Sequence, residues 1–487
     1  MNPYILVGIL FLYFSLLLIL AFITSKGATN LTFFIANRKS KWYLVAIGMI
    51  GTSLTGITFI SVPGWVSESQ FSYLQVVFGY LLGYFIIAFV LLPIYYKLRI
   101  PSIYTYLWDR FGIYSYKTGA ILFIIARTIG AALRVYIVVE LLHYFIFNKL
   151  GLSFYFTVIF FLFLMLLYTY KGGVKTLVYT DLLQTAGMVT ALILTIIYIS
   201  KTLNLNLKEL INLIYYSDLS KIFFFEDIND KKFFFKQIIA GMFITVTMTG
   251  LDQEMMQKNI SCNTLKNAQK NMITYAFILV IINFLFMILG LLLYEFTKIN
   301  KIVIPIKSDH LFPELALNYF GGVLSIVFVV GIISATFPSA DGALTSLTSI
   351  FCIDILGLIR KGLSEKQIKK TRIKVHILFT ILFFIIIAFF YNVSKKALIE
   401  ELLTIAGYTY GPLLGLYSYG ILTKWKTFEP IVPFIAALSP LICYFLNKYS
   451  PILLNGYYFG FEIILINGLI TFFLLFATYK LLKNKLS

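Results

Sequence analysis

Gly331-Ile-Ile-Ser334-Ala-Thr336-Phe-Pro338-Ser339-Ala-Asp341-Gly-Ala-Leu-Thr345-Ser346 lies inside an apolar run from about Phe320 to Ile355, yet nearly all of it is small or hydroxylic. A run of that length is long enough to cross a bilayer as a helix. Hydroxyls gain nothing from lipid, and a charge near the bilayer centre costs about 2.5–3.5 kcal/mol on insertion scales. Pro338 also removes the N–H that would have bonded the Ser334 carbonyl, which frees an oxygen at membrane depth. At helical spacing Ala335, Ser339, Gly342 and Ser346 share one face, with Pro338, Asp341 and Thr345 beside it. Such a stripe of oxygens around a bend suits a small hard cation. Close helix packing, with hydroxyls bonding back to their own helix, explains the glycine, alanines and serines but not Asp341.

The composition agrees with a membrane setting. Of 487 residues, 60% are hydrophobic and only 13% charged, against about 25% charged in soluble domains. The mean hydropathy is +0.89. A net charge of +19 invites a nucleic-acid reading, but the basic residues are scattered through short loops without a basic stripe or an aromatic-basic module. Three cysteines without pairing spacing and three dispersed histidines offer neither a disulfide framework nor a metal or acyl-transfer centre. An enzyme is not expected, nor is a nucleic-acid partner. The partners expected are the lipid bilayer and a small-molecule solute, with the protein acting as a monomer.

Apolar segments of spanning length fall at 3–25, 42–66, 72–98, 117–147, 153–170, 176–200, 233–251, 268–296, 320–356, 375–391, 397–422, 428–447 and 460–479, which makes about thirteen transmembrane helices. The first lacks the basic start and small-residue cleavage site of a signal peptide. Basic residues alternate between the loops, with roughly 25 on one side and roughly 13 on the other. That bias puts the amino terminus outside and the carboxyl terminus inside.

Polar residues inside these segments narrow the reading. Gly48-Met-Ile-Gly51-Thr52-Ser53-Leu54-Thr55-Gly56-Ile57-Thr58 is a weak helix, liable to unwind and expose backbone carbonyls as the interrupted helices of secondary transporters do. Arg127 and Arg134 share a face of helix four. Arg134 could grip a substrate carboxylate, or pair with Glu140 or another acid. Arg127 reads as structural, near a helix end. Asp181 enters an apolar helix and could meet a cation or a snorkelling Lys175. Asp252 and Glu254 read as solvated or capping, and Asp354 as part of a surface ion pair.

Together these stretches resemble the sodium:solute symporter family, which includes bacterial sodium/proline, sodium/galactose and sodium/sialic acid transporters. The resemblance rests on Phe33-Phe-Ile-Ala-Asn-Arg38 through Pro63-Gly64, Ile103-Tyr-Thr-Tyr-Leu-Trp-Asp-Arg-Phe-Gly112, Tyr168-Thr-Tyr-Lys-Gly-Gly173 through Thr180-Asp181-Leu-Leu-Gln184, and Ser349-Ile-Phe-Cys-Ile-Asp-Ile355. It implies an all-α integral membrane protein of one polytopic domain over 1–487, with a LeuT-type five-plus-five inverted repeat, one helix before it and two after. The repeats would cover about 42–200 and 233–422, and the accessory helices about 428–482. It also implies a bacterial cytoplasmic membrane and sodium-coupled uptake of a small polar organic solute.

The resemblance implies site residues as well. Sodium would be bound by the carbonyls of Gly51, Leu54 and Ala335 and the Ser339 hydroxyl, with Pro338 standing where the family has a further hydroxyl. A second sodium site of some members maps onto Asp181 and positions 338, 341 and 342. Here those are Pro338, Asp341 and Gly342, so Asp181 and Asp341 are expected to hold a second cation or share a proton. Arg134 matches the arginine that holds the carboxylate in sialic acid transporters, with Ser53, Thr55, Thr58, Gln75, Thr245 and Met248 as further substrate contacts. A sugar acid fits best; a neutral sugar, polyol or amino acid is the alternative. A channel would want a continuous polar path and a repeated filter, and a transporter-like sensor an added signalling domain.

Overall fold

The computed structural model describes residues 3–98, 102–393 and 398–486. Among these the secondary structure is helical apart from an isolated bridge between Ser40 and Cys262. We number the spans α1 (Pro3–Thr24), α2a (Trp42–Ser53), α2b (Gly56–Ser69), α3 (Tyr73–Leu98), α4 (Ile113–Leu150), α5 (Phe154–Thr169), α6 (Val174–Thr202), α7a (Phe234–Gly250) and α7b (Gln253–Ile260). They continue as α8 (Leu265–Ile299), α9 (Gly322–Ile355), α10 (Glu365–Val393), α11 (Leu398–Leu422), α12 (Val432–Leu453) and α13 (Ile463–Leu486). Eight of the described helices are long and apolar enough to cross a membrane, and ten spans result when each bent pair counts as one. The shorter apolar α5, the apolar part of α13 and α11 account for the other expected segments. Position 397, where the expected eleventh segment begins, lies outside the described residues.

The second span breaks where glycine and hydroxyl residues weaken it. Leu54 (φ −85°, ψ 85°) and Thr55 (φ −81°, ψ 173°) leave the helical region, and the two halves meet at a 58° bend. The end of α2a thereby leaves carbonyls without intrahelical donors. A second break was not foreseen. α7a ends at Gly250, Leu251 and Asp252 turn the chain, and α7b departs at 65°. Asp252 caps α7b, accepting hydrogen bonds from the N–H groups of Glu254 (2.9 Å) and Met255 (3.2 Å).

α9 runs through the centre of the bundle, and every residue from Gly331 to Ile350 is buried. It continues helically across Pro338, and the Ser339 hydroxyl donates to the Thr336 carbonyl at 3.1 Å. α2a, α2b and α6 pack against it. Large apolar side chains such as Phe11, Phe163, Phe389 and Phe434 are instead exposed on the outer helices, where lipid would cover them.

Candidate functional site

The small residues of α2 bring its broken centre against α9. A methyl group on Gly51 would stand 2.5 Å from Thr185 Oγ1 and 3.4 Å from Pro338 Cγ. Gly56 is closed in the same way by Thr336 Oγ1 and Val138. Thr185 on α6 fastens this junction: its hydroxyl accepts from the Gly51 N–H (3.1 Å) and donates to the Ile47 carbonyl (3.0 Å). Gly51 and Gly56, on either side of the break, thus face Pro338 and Thr336 of α9 across a junction without room for a side chain. Oxygen donors of this type, carbonyls and a hydroxyl, fit a hard monovalent cation.

Beside the break lies a cavity of about 120 Å³, lined by Ser53, Thr55, Thr58, Arg134, Thr245 and Met248. Six of the seven residues singled out for substrate from the sequence therefore share one chamber. Thr249, Asn283, Tyr73, Tyr80, Tyr84 and Arg127 also line it. Asn283 was missed, although an amide in the middle of the apolar 268–296 segment was its signal. Its Nδ2 donates to the Leu279 carbonyl (2.8 Å), leaving Oδ1 without a partner. The Ser53 hydroxyl meets Tyr275 OH, which in turn lies 2.9 Å from Tyr84 OH.

Gln75 stands apart. It is buried, its amide donates to the Lys232 carbonyl (2.9 Å), and its Oε1 accepts from the Phe224 N–H (3.2 Å). Its hydrogen bonds anchor the loop ahead of α7a, and it is not among the cavity-lining residues.

The two arginines of α4 differ in a way their sequence does not show. Arg127 is structural, as expected, but it lies deep in the bundle and not at a helix end. It pairs with Glu254 and stands 3.7 Å from Asp252. Those two acids are accordingly buried and not solvated, and Asp252 takes a further hydrogen bond from Tyr410 OH (2.8 Å). Arg134 is buried on the cavity wall, and its guanidinium has no ion pair or hydrogen bond among the described residues. The pair with Glu140 is not formed. That carboxylate lies 4.0 Å from His310, in a loop where burial and the neighbouring Lys307 push the imidazole below its ordinary range.

Asp181 and Asp341 are both buried, on helices packed against each other. The cation at Asp181 is Lys258 of α7b, 2.5 Å from Oδ2, and not Lys175. Asp341 Oδ2 accepts from Tyr168 OH (2.9 Å), while Oδ1 of both aspartates lacks a partner. Asp354 is buried too, correcting the expected surface pair. Ser102 (2.5 Å) and Tyr116 (2.7 Å) donate to its two oxygens and tie α9 to the start of α4.

The model of the sodium:solute symporter family matches residues 33–424 of this chain. The chain belongs to the sodium:solute symporter family. The symporter is 25% identical over 449 residues to the sodium-coupled monocarboxylate transporter 1 of Xenopus laevis, covering 89% of this chain and 69% of that protein. It is 22% identical over 437 residues to the sodium/sialic acid symporter of Proteus mirabilis, covering 86% and 84%. In fold it matches a solved Na+-coupled sialic acid symporter, in a substrate-bound outward-open state, with a TM-score of 0.84 over 98% of each chain at 21% identity. The nucleobase-cation symporter Mhp1 matches with a TM-score of 0.55 at 12% identity, over 93% of this chain and 94% of that one. The symporter is thus a sodium-coupled solute transporter of the LeuT fold and a multi-pass integral membrane protein, not an enzyme, with Na+ as coupling ion.

Proposed function

We propose that the transported solute is a small organic carboxylate and that Arg134 holds its carboxyl group. The observation that carries this is the unpaired guanidinium on the cavity wall. A buried cation without a counter-ion is costly, and a bidentate carboxylate relieves that cost when it binds. The relatives named for monocarboxylates and for sialic acid both carry carboxylates. Hydroxyls of Ser53, Thr55, Thr58 and Thr245 offer hydrogen bonds to a sugar acid such as sialic acid, and Met248 offers an apolar contact. A short monocarboxylate is the second reading, favoured by a cavity of only about 120 Å³.

In this reading sodium binds to the carbonyls of Gly51, Leu54 and Ala335 and to the Ser339 hydroxyl. It bridges the broken second span to α9 and stabilises the outward-open state. Solute then binds beside it, the bundle rocks, and both leave inward. Coupling requires that sodium bind the two states unequally. Asp181 and Asp341 mark a second position for positive charge. The two halves 42–200 and 233–422, each opening on a broken span, act as the repeats, and the basic loops put the carboxyl terminus on the cytoplasmic side of a bacterial inner membrane.

The test is sodium-dependent thermal stabilisation of the purified protein by sialic acids, short monocarboxylates, neutral sugars and amino acids, for the wild type and Arg134→Gln. Carboxylates should stabilise the wild type only with sodium present. The substitution should cost about 2–5 kcal/mol of solute binding, as for truncation of one partner in a buried charge pair. A neutral sugar stabilising both proteins equally rejects the carboxylate.

A further inference from the structure

Lys258 does more than neutralise one acid. It sits on α7b, 2% exposed, and its ammonium reaches three separate groups. It lies 2.5 Å from Asp181 Oδ2 on α6, donates to Thr52 Oγ1 at the end of α2a, and stands 3.9 Å from Glu254 Oε1 one turn back on its own helix. One positive charge therefore joins both broken spans to the helix carrying Asp181. An ammonium has three N–H donors and no acceptor, so oxygens surround it much as they surround a bound monovalent metal ion. Its lower helix is held close to α9 as well, because a methyl group on Gly342 would collide with Glu254.

The charges nearby leave this position little use for a second free ion. Arg127 is committed to Asp252 and Glu254, and Asp341 has the Tyr168 hydroxyl on one oxygen. Asp181 has a cation already, delivered by the chain and unable to leave. Resting on the sodium reading above, we propose that Lys258 is a tethered counter-ion filling the place of a second sodium beside Asp181, so that this symporter couples solute to a single sodium ion. One sodium moving with one carboxylate carries no net charge. The lysine would also hold the cytoplasmic half of α7 against α2a whether or not ions are bound.

Equilibrium binding of radioactive sodium to the purified full-length protein tests this, alongside the sodium dependence of its thermal stability. Wild type should bind about one sodium per chain with a Hill coefficient near one. Lys258→Met should expose Asp181 and raise both values towards two, Lys258→Arg should leave them at one, and Lys258→Met with Asp181→Asn should return them to one. Two sodium ions on the wild type would overturn the proposal even if the Met variant failed to fold. A folded, monodisperse Lys258→Met protein that still binds one sodium would overturn it too. No sodium on the wild type would instead sink the sodium site at Gly51, Leu54, Ala335 and Ser339, a separate failure.

Discussion

The two broken spans solve the same geometric problem with opposite chemistry. α2 bends by 58° and α7 by 65°. Around the first break stand Gly51, Thr52, Ser53 and Thr55, which carry no charge, so the break presents neutral dipoles. Around the second stand Asp252, Glu254 and Lys258, each paired with a charge of the same protein. A break made of dipoles can bind and release an ion at modest cost. A break made of charges must stay neutralised at every step, and here it is held by Arg127, Asp181 and its own neighbours. The first is suited to exchange and the second to position.

The sharpest way to break this contrast is to unbalance the charged side. Arg127→Leu leaves Asp252 without its cation and Glu254 with only Lys258, 3.9 Å away. Removal of one partner of a buried pair costs about 3–5 kcal/mol. We expect a large fall in melting temperature, partly restored by Arg127→Leu with Glu254→Gln. Arg134→Leu, seven residues further along the same helix, should cost far less because its guanidinium has no partner to abandon. Equal losses at both positions, measured by thermal unfolding in detergent, would erase the difference between a structural and a substrate-facing arginine.

A smaller effect should separate the breaks by their tolerance of a methyl group. Gly51→Ala drives a carbon to 2.5 Å from Thr185 Oγ1, a hydroxyl already held by two hydrogen bonds, with Pro338 behind it. Overpacking of this kind costs about 1–3 kcal/mol, and sodium-dependent stabilisation should weaken with it. Gly250→Ala at the other break meets Leu91 Cδ1 at 2.5 Å and Ile87 Cγ1 at 2.9 Å, aliphatic side chains that hold none of the oxygens of the uncharged break. This packing should shift, leaving the sodium midpoint unchanged.

The uncharged break was legible in the sequence and the charged one was not. Glycines and hydroxyls crowded into Gly48–Thr58 weaken a helix through local preference alone, so no partner had to be known. Local hydropathy likewise found the spans, and Arg134 stood out as a cation inside an apolar segment, whereas Ser53, Thr55, Thr58, Thr245 and Met248 came from the family resemblance. Asp252 and Glu254, beside Lys258, instead read as solvated or capping, because charges close in sequence at a helix end usually face water; Asp252 does cap α7b, but neither acid is solvated. The burial of these three charges depends on Arg127 and Asp181, far away along the chain, and pairings at that separation leave no periodic trace. Asp354 was misjudged for the same reason, since Ser102 and Tyr116, not nearby Arg360, hold its oxygens. Gln75 failed differently: its position faced the expected chamber, but the loop that takes up its amide could not be placed from composition.

That loop supplies the mildest test. Gln75 is the only cavity candidate whose hydrogen bonds all go to backbone among the described residues: Ser72, Phe224 and Lys232. Lys232 and Phe224 lead into α7a, so the glutamine fixes the outer approach to the charged span while leaving the uncharged break untouched. Gln75→Ala should therefore cost about 1 kcal/mol of stability, the net worth of a lost hydrogen bond plus some burial of the freed N–H. It should not move the sodium midpoint or the choice of solute. A change in solute preference without a change in melting temperature would return Gln75 to the binding chamber. It would also mean that the loop before α7a bends aside during the cycle, so that the charged span is less fixed than its paired residues imply.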